Sequence, residues 1–221
     1  MTLREESYGR LPEGPEIRKY TFANSKGLEA VVISYGATLV ALRAPDRRGR
    51  VANVNLGFDS LEAYLRSPGY LGAGVGRFGN RIRLGRFTLN GREYALSCNN
   101  PARNDTAVHH LHGCVRGYSK VDRKARPIRE RTAAGVSLSY LSEDGEEGYP
   151  GTLRVTMSYT LNEEGELALQ YTARADKPTP VNLTQHSYWN LAGAGSGPIL
   201  DHELTLHCPF YVPVDETLIP T

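Results

Sequence analysis

The chain commits itself most firmly between residues 153 and 175. In "TLRVTMSYTL" the apolar residues Leu153, Val155, Met157, Tyr159 and Leu161 alternate with Arg154, Thr156, Ser158 and Thr160. After "NEEG" (162–165), Leu167, Leu169, Tyr171 and Ala173 supply a matching apolar face. A period of two turns every second side chain to the same face of a strand. Two such runs around a short polar turn predict a half-buried antiparallel hairpin. The same device recurs in "RFTLNGREYAL" (86–96), where Asn90-Gly91 is the pair that best tolerates the positive φ of a tight hairpin turn.

The remaining segments agree. Residues 16–23, 28–35, 37–44 and 51–56 are rich in β-branched and aliphatic residues and are broken by Gly27, Gly36 and the turn "PDRRGR" (45–50). One helix is expected, at "DSLEAYLR" (59–66), with Asp59 or Ser60 as its N-cap and Glu62 in its first turn. No repeat, low-complexity tract or linker divides residues 1–221, so the expectation is a single all-β domain, a sandwich or barrel.

Composition then limits what such a domain can do. A formal net charge of +2 gives no electrostatic case for nucleic acid or an anionic membrane. No run approaches the 18 apolar residues of a membrane span, and "MTLREESYGR" has no apolar signal core, so a cytoplasmic location is expected. Cys98, Cys114 and Cys208 are odd in number and widely spaced, which suits neither a zinc site nor a disulfide scaffold. Thirteen tyrosines suit a sheet, and also suit sugar binding.

Four loops carry more chemistry than folding requires. In "GAGVGRFGNRIRLG" (72–85) no Lys-Ser/Thr follows the glycines, so a phosphate loop is not indicated. Asn80 and Arg81 instead offer an amide and a guanidinium to hydroxyl-rich ligands. In "HHLHGC" (109–114), His110 and His112 at i, i+2 would share one face of a strand and form half a metal site. No nearby carboxylate or cysteine completes the ligand set, so no metal is expected. His112 then reads as a neutral hydrogen-bonding or purely structural histidine. In "SEDGEEGYPG" (142–151) the acidic residues lack calcium-loop spacing and read as a solvated turn. The fourth, "VNLTQHSYWNLAG" (181–193), reads as a strand with Val181, Leu183 and Gln185 on one face and Asn182, Thr184 and His186 on the other. Rings that exclude water and amides that set a tautomer would tune His186 for proton transfer.

These loops, in this order, resemble the aldose 1-epimerase (galactose mutarotase) family. The resemblance rests on "SYGATLVALRAPDRRGR", "VNLGFDSLEAYL", "GRFGNRIRLGRFTLNGREYAL", "LHGCVRGYSK", "SEDGEEGYPGTLRVTMSYTL", "PTPVNLTQHSYWNLAG" and "VPVDETLIPT". It implies a large antiparallel β-sandwich of the galactose mutarotase-like supersandwich type, incomplete at its C-terminus. It implies cofactor-free interconversion of the α and β anomers of an aldohexose such as glucose or galactose. His186 would be the acid at the ring oxygen, with Asn80, Arg81, His112, Ser187 and Tyr188 binding the sugar. Departures are Cys114 where a second glycine is usual, Gln185 where asparagine is common, and the approach "NNPARNDTAVHH" to the histidine motif. The family's general-base glutamate would lie beyond Thr221, so no residue here is assigned as base. An impaired or vestigial sugar-binding protein, and a hexose-6-phosphate 1-epimerase with Arg83 or Arg86 near C6, are the competing readings. Exposed sheet edges would then invite self-association.

Overall fold

The structure, a computed structural model, describes residues 1–101 and 108–221; the part of "NNPARNDTAVHH" at 102–107 lies outside the described residues. Two antiparallel sheets packed face to face organise it. The first runs in chain order: β1 (Thr2–Arg10), β2 (Glu16–Ala23), β3 (Glu29–Ile33), β4 (Thr38–Pro45) and β5 (Val51–Asn53). The second consists of β12 (Lys124–Arg129), β13 (Ala133–Ser142), β14 (Leu153–Asn162) and β15 (Leu167–Ala175). The alternation read in 153–161 is the inner face of β14: Leu153, Val155, Met157, Tyr159 and Leu161 are all buried.

From the second sheet, Val136, Leu138, Met157, Tyr159 and Leu161 pack on Tyr20, Phe22, Ala30, Val32 and Leu39 of the first. The Tyr159 hydroxyl donates to the Ala37 carbonyl at 2.8 Å, so this large ring is buried with its polar tip satisfied. β15 covers the same core less completely. Leu167, Leu169 and Tyr171 pack against it, whereas Ala173, expected on that face, is exposed although it pairs with Val155 of β14. β3 is buried on both faces: Ile17 and Ile33 meet Leu61 on the side opposite the sandwich core. Leu61 opens the expected helix, α1 (Leu61–Arg66), whose N-cap is Ser60: its side chain accepts from the Ala63 N–H at 3.3 Å.

Shorter strands build the end of the sandwich that concerns function. They are β6 (Gly74–Val75), β7 (Arg81–Ile82), β8 (Arg86–Leu89), β9 (Arg92–Ala95), β10 (Asn100–Pro101), β11 (Val108–Leu111) and β16 (Thr184–Gln185). β8 and β9 form the Asn90-Gly91 hairpin, with both turn residues at positive φ as expected.

The stretch 181–193 departs from its expected form. Only Thr184 and Gln185 pair in a ladder, opposite Val75 and Gly74, while Asn182 and Trp189 make isolated bridges to Phe78 and Asn55. Residues 77–79 stay hydrogen-bonded to Asn182, but the Phe78–Asn182 bridge is parallel whereas the pairs at 184–185 are antiparallel, so the two do not join into one ladder. Farther on, residues 198–212 join no ladder, and Leu200, Leu204, Leu206, Phe210, Tyr211 and Val212 stand exposed.

Candidate functional site

Three segments converge at the end of the sandwich. Residues 72–79 and 182–186 are zipped together: Gly79 N–H donates to Asn182 O at 2.7 Å, Asn182 N–H to Arg77 O at 3.0 Å, and His186 N–H to Ala73 O at 2.9 Å. The third segment joins through β7 and β11, which pair His110 with Ile82 and Leu111 with Arg81. One more bond, His112 N–H to Asn80 O at 3.1 Å, brings His112 to the same place. Gly113 makes this approach feasible: its φ is +80°, and a Cβ there would lie 1.7 Å from the Gly76 carbonyl oxygen. Cys114 follows in the left-handed region at φ 72°, which gives a physical reason why glycine suits that position better.

An open groove of about 580 Å³ results, lined by Asn80, His112, Leu183, Thr184, Gln185, His186 and Ser187 with Gly79 and Asn182. That volume lies within the range of small-molecule pockets. Residues 182–187 all border it, while Leu183 also packs on the inner cluster of Tyr118, Leu153 and Val155, and His186 on Tyr70 and His112. Gln185 turns its amide to the Gly72 carbonyl at 2.9 Å and accepts from Ser187 N–H at 2.9 Å, which folds the chain around the groove.

His110 and His112 part company. β11 ends at Leu111, and His112 adopts φ 53°, so the i, i+2 rule for a strand no longer applies. His110 points inward, its Nδ1 2.8 Å from Ser97 O and its Nε2 2.7 Å from the Tyr149 hydroxyl. The carbonyl can only accept, so Nδ1 carries the proton and Nε2 accepts from Tyr149. His112 faces the groove. No cluster of metal-ligating side chains occurs among the described residues.

The electrostatics of His112 follow from its bonds. Its Nδ1 accepts from Asn80 N–H at 2.9 Å, which places the proton of the neutral ring on Nε2. Burial, with His186 and Arg81 nearby, lowers its pKa to about 4. At neutral pH it is therefore an uncharged donor. The His186 ring lies 5.1 Å away, nearly perpendicular to it at 88°.

The other expected residues divide. Asn80 and Ser187 line the groove. Arg81 stands beside it, with Nε bonded to Asn100 Oδ1 at 2.9 Å and a terminal nitrogen to Asn80 Oδ1 at 3.1 Å. Tyr188 packs on His186 at 5.1 Å between ring centres but is 45% exposed. Trp189, expected to exclude water, is 43% exposed. Arg83 and Arg86 do not line the groove, and Arg86 is paired with Glu93. Glu146 is engaged by the hydroxyls of Tyr140 and Ser142 and braces its own loop, whereas Glu147 accepts from Arg116 N–H at 2.5 Å and ties that loop to the turn after His112. No carboxylate side chain lines the groove among the described residues.

Sequence reasoning missed two residues. Tyr70 sits against His112 and His186, with ring centres 4.7 and 5.6 Å away. Arg77 is almost fully buried and ties the groove to the 142–151 loop through Pro150 O at 3.1 Å, Gly151 O at 2.9 Å and the Ser142 hydroxyl at 2.5 Å. Arg77 lies within the glycine-rich motif at 72–85, where a cation among small residues is a signal that could have marked it. Tyr70 sits in an unpatterned turn, and no sequence signal marks it.

Comparison with known proteins gives the family. The family model for aldose 1-epimerase matches residues 18–221. Galactose mutarotase of Bos taurus is 48% identical over 214 residues, 97% of this chain and 59% of its own length. Aldose 1-epimerase of Escherichia coli is 36% identical over 218 residues, 99% of this chain and 60% of its own length. The crystal structure of an aldose epimerase homologue from C. elegans superposes with a TM-score of 0.79 at 33% identity, covering 91% of this chain and 58% of that one. The chain thus spans about 60% of the length of the curated relatives it matches.

Proposed function

Because the chain belongs to the aldose 1-epimerase family, we propose that its groove binds a cyclic aldohexose and opens the ring by proton transfer. One observation carries the reading: two imidazoles, 5.1 Å apart, stand beside Asn80 in an open polar groove.

In the proposed reaction the proton on the C1 hydroxyl leaves to a base. The electron pair of that O–H bond forms the aldehyde, the bond from C1 to the ring oxygen breaks, and His186 delivers a proton to that oxygen. Rotation about C1–C2 followed by the reverse steps closes the other anomer. Such transfers along polar bonds call for positioned acids and bases rather than an electron sink. His112 serves as a donor to a sugar oxygen through Nε2–H, consistent with its depressed pKa. Asn80, Ser187 and Tyr188 contact hydroxyls, and Arg81 acts through Asn80 or on an outer hydroxyl.

A second reading has its own support. With no carboxylate lining the groove among the described residues, the C1 proton has no evident acceptor, and the chain would bind an aldose with little or no turnover. Loss of one partner of an acid–base pair costs about 10²–10⁴-fold in rate. We further propose a cytoplasmic location, where Cys98, Cys114 and Cys208, all unpaired, would stay reduced. No helix among the described residues is long and apolar enough to cross a membrane. Self-association would use the exposed apolar segment at 198–212 more readily than the sheet edges.

Polarimetry on freshly dissolved α-galactose separates the readings. Acceleration above the buffer rate that disappears in His186→Ala supports catalysis. Galactose-dependent chemical-shift changes at Asn80 and His112 without acceleration support binding alone. Absence of both effects would remove the sugar reading.

A further inference from the structure

His186 is held in an uneven way. Its main chain is fixed on both sides: His186 N–H donates to Ala73 O and Gly72 N–H donates to His186 O, each at 2.9 Å. Its ring is not fixed by hydrogen bonding, since neither ring nitrogen has a hydrogen-bonded protein partner among the described residues. The torsion that sets an imidazole's plane is broad and two-fold, so an unsupported ring swings through a wide arc. Only packing restrains it here.

Three rings do this. Tyr188 and His112 each lie 5.1 Å from His186, and Tyr70 stacks on it at 5.6 Å with an interplanar angle of 27°. Tyr188 is nearly half exposed. Tyr70 is half-buried and also meets His112 at 4.7 Å, edge to face at 69°. Elsewhere it helps close a small cavity of about 40 Å³ with Tyr35, Tyr64, Thr38 and Ser119. The Ser119 hydroxyl there is buried without a partner. Tyr70 therefore lines that cavity and supports both histidines, but is not among the residues lining the groove.

We propose that Tyr70 is the positioning residue of the site: its ring sets the plane of His186 and the spacing between His186 and His112 without contacting the sugar. The catalytic part of this inference rests on the sugar reading; the part concerning ring order does not. A displacement of about 1 Å at a reacting group costs on the order of 10²-fold in rate, which sets the expected scale.

The test compares Tyr70→Leu, which removes the ring, with Tyr70→Phe, which keeps it. Imidazole proton and nitrogen resonances are recorded without and with galactose, and the backbone amide spectrum checks that each variant is folded. In Tyr70→Leu the His186 ring signals should lose their ring-current shift and collapse toward rotationally averaged values, and any mutarotation rate should fall by about 10²-fold with KM changing much less. Tyr70→Phe should keep the parent His186 signals and rate. Parent-like His186 ring signals in a folded Tyr70→Leu would overturn the inference, whether or not the protein is active. If Tyr70→Leu alters those signals while the parent neither binds nor accelerates galactose, the inference on ring order stands and the sugar reading fails. Should Tyr70→Leu not fold, Tyr70→Phe decides the matter: His186 signals that change there would overturn the inference, and unchanged ones support it.

Discussion

β14 and the segment 198–212 carry similar instructions and meet opposite fates. β14 places Leu153, Val155, Met157, Tyr159 and Leu161 on alternate positions, and all are buried between the sheets. In "DHELTLHCPFYV", Leu204 and Leu206 also alternate with polar residues, yet they are 81% and 67% exposed, and Phe210 and Tyr211 more so. The difference is pairing. β14 has β13 and β15 on its two edges and the first sheet across its face, whereas 198–212 has neither neighbour nor cover among the described residues. Alternation specifies which side chains can share a face; burial requires hydrogen-bonded neighbours to exist.

Several measurements can break or sharpen this contrast. The largest effect is expected for Tyr159→Ala, which empties a fully buried ring site and removes the bond to Ala37 O; urea unfolding should show a loss of about 3–5 kcal/mol. Tyr159→Phe keeps the ring but leaves the Ala37 carbonyl without its donor, with an expected loss of about 1–2 kcal/mol in the same assay. Leu204→Ser, in contrast, should change stability by less than about 0.5 kcal/mol, because the side chain is already in water. A substitution in 198–212 as damaging as Tyr159→Ala would mean that this segment is covered in solution.

A subtler effect reports on the groove through pH. An unfolded histidine takes up its proton near about 6.5, but folded His112 does so only near 4. Between those values the unfolded chain binds more protons, so stability should rise with pH across that window and be lost on acidification toward 4. Burial lowers the pKa of His110 as well, which adds to the slope in the same direction. His112→Gln should flatten the slope of unfolding free energy between pH 4 and 6.5. An unchanged slope would show that His112 is as hydrated in the fold as in the unfolded chain.

Much of this fold is legible in the chain itself. Strands at 16–23 and 153–161, the Asn90-Gly91 turn and the Ser60 cap follow from rules acting over a few residues, where periodicity and local φ preferences decide the outcome. The motif residues His112, His186 and Asn80 are likewise recognisable from the sequence, and all three line one groove.

Other features depend on contacts distant in sequence. His110 and His112 look equivalent two residues apart, yet the end of β11 and the left-handed turn at His112 send one to Tyr149 and the other to the groove. The strand reading of 181–186 holds only at Thr184 and Gln185, because the pairing with 74–78 is antiparallel there and parallel at Asn182. Tyr70 carries no local mark at all; its place against both imidazoles is set by the packing of segments far along the chain. The sequence alone determined which residues alternate, turn and cap, since those preferences belong to the local backbone. Which imidazole faces the groove, which rings pack on it and which apolar face finds cover were decided only in three dimensions, because they depend on what the rest of the chain places alongside.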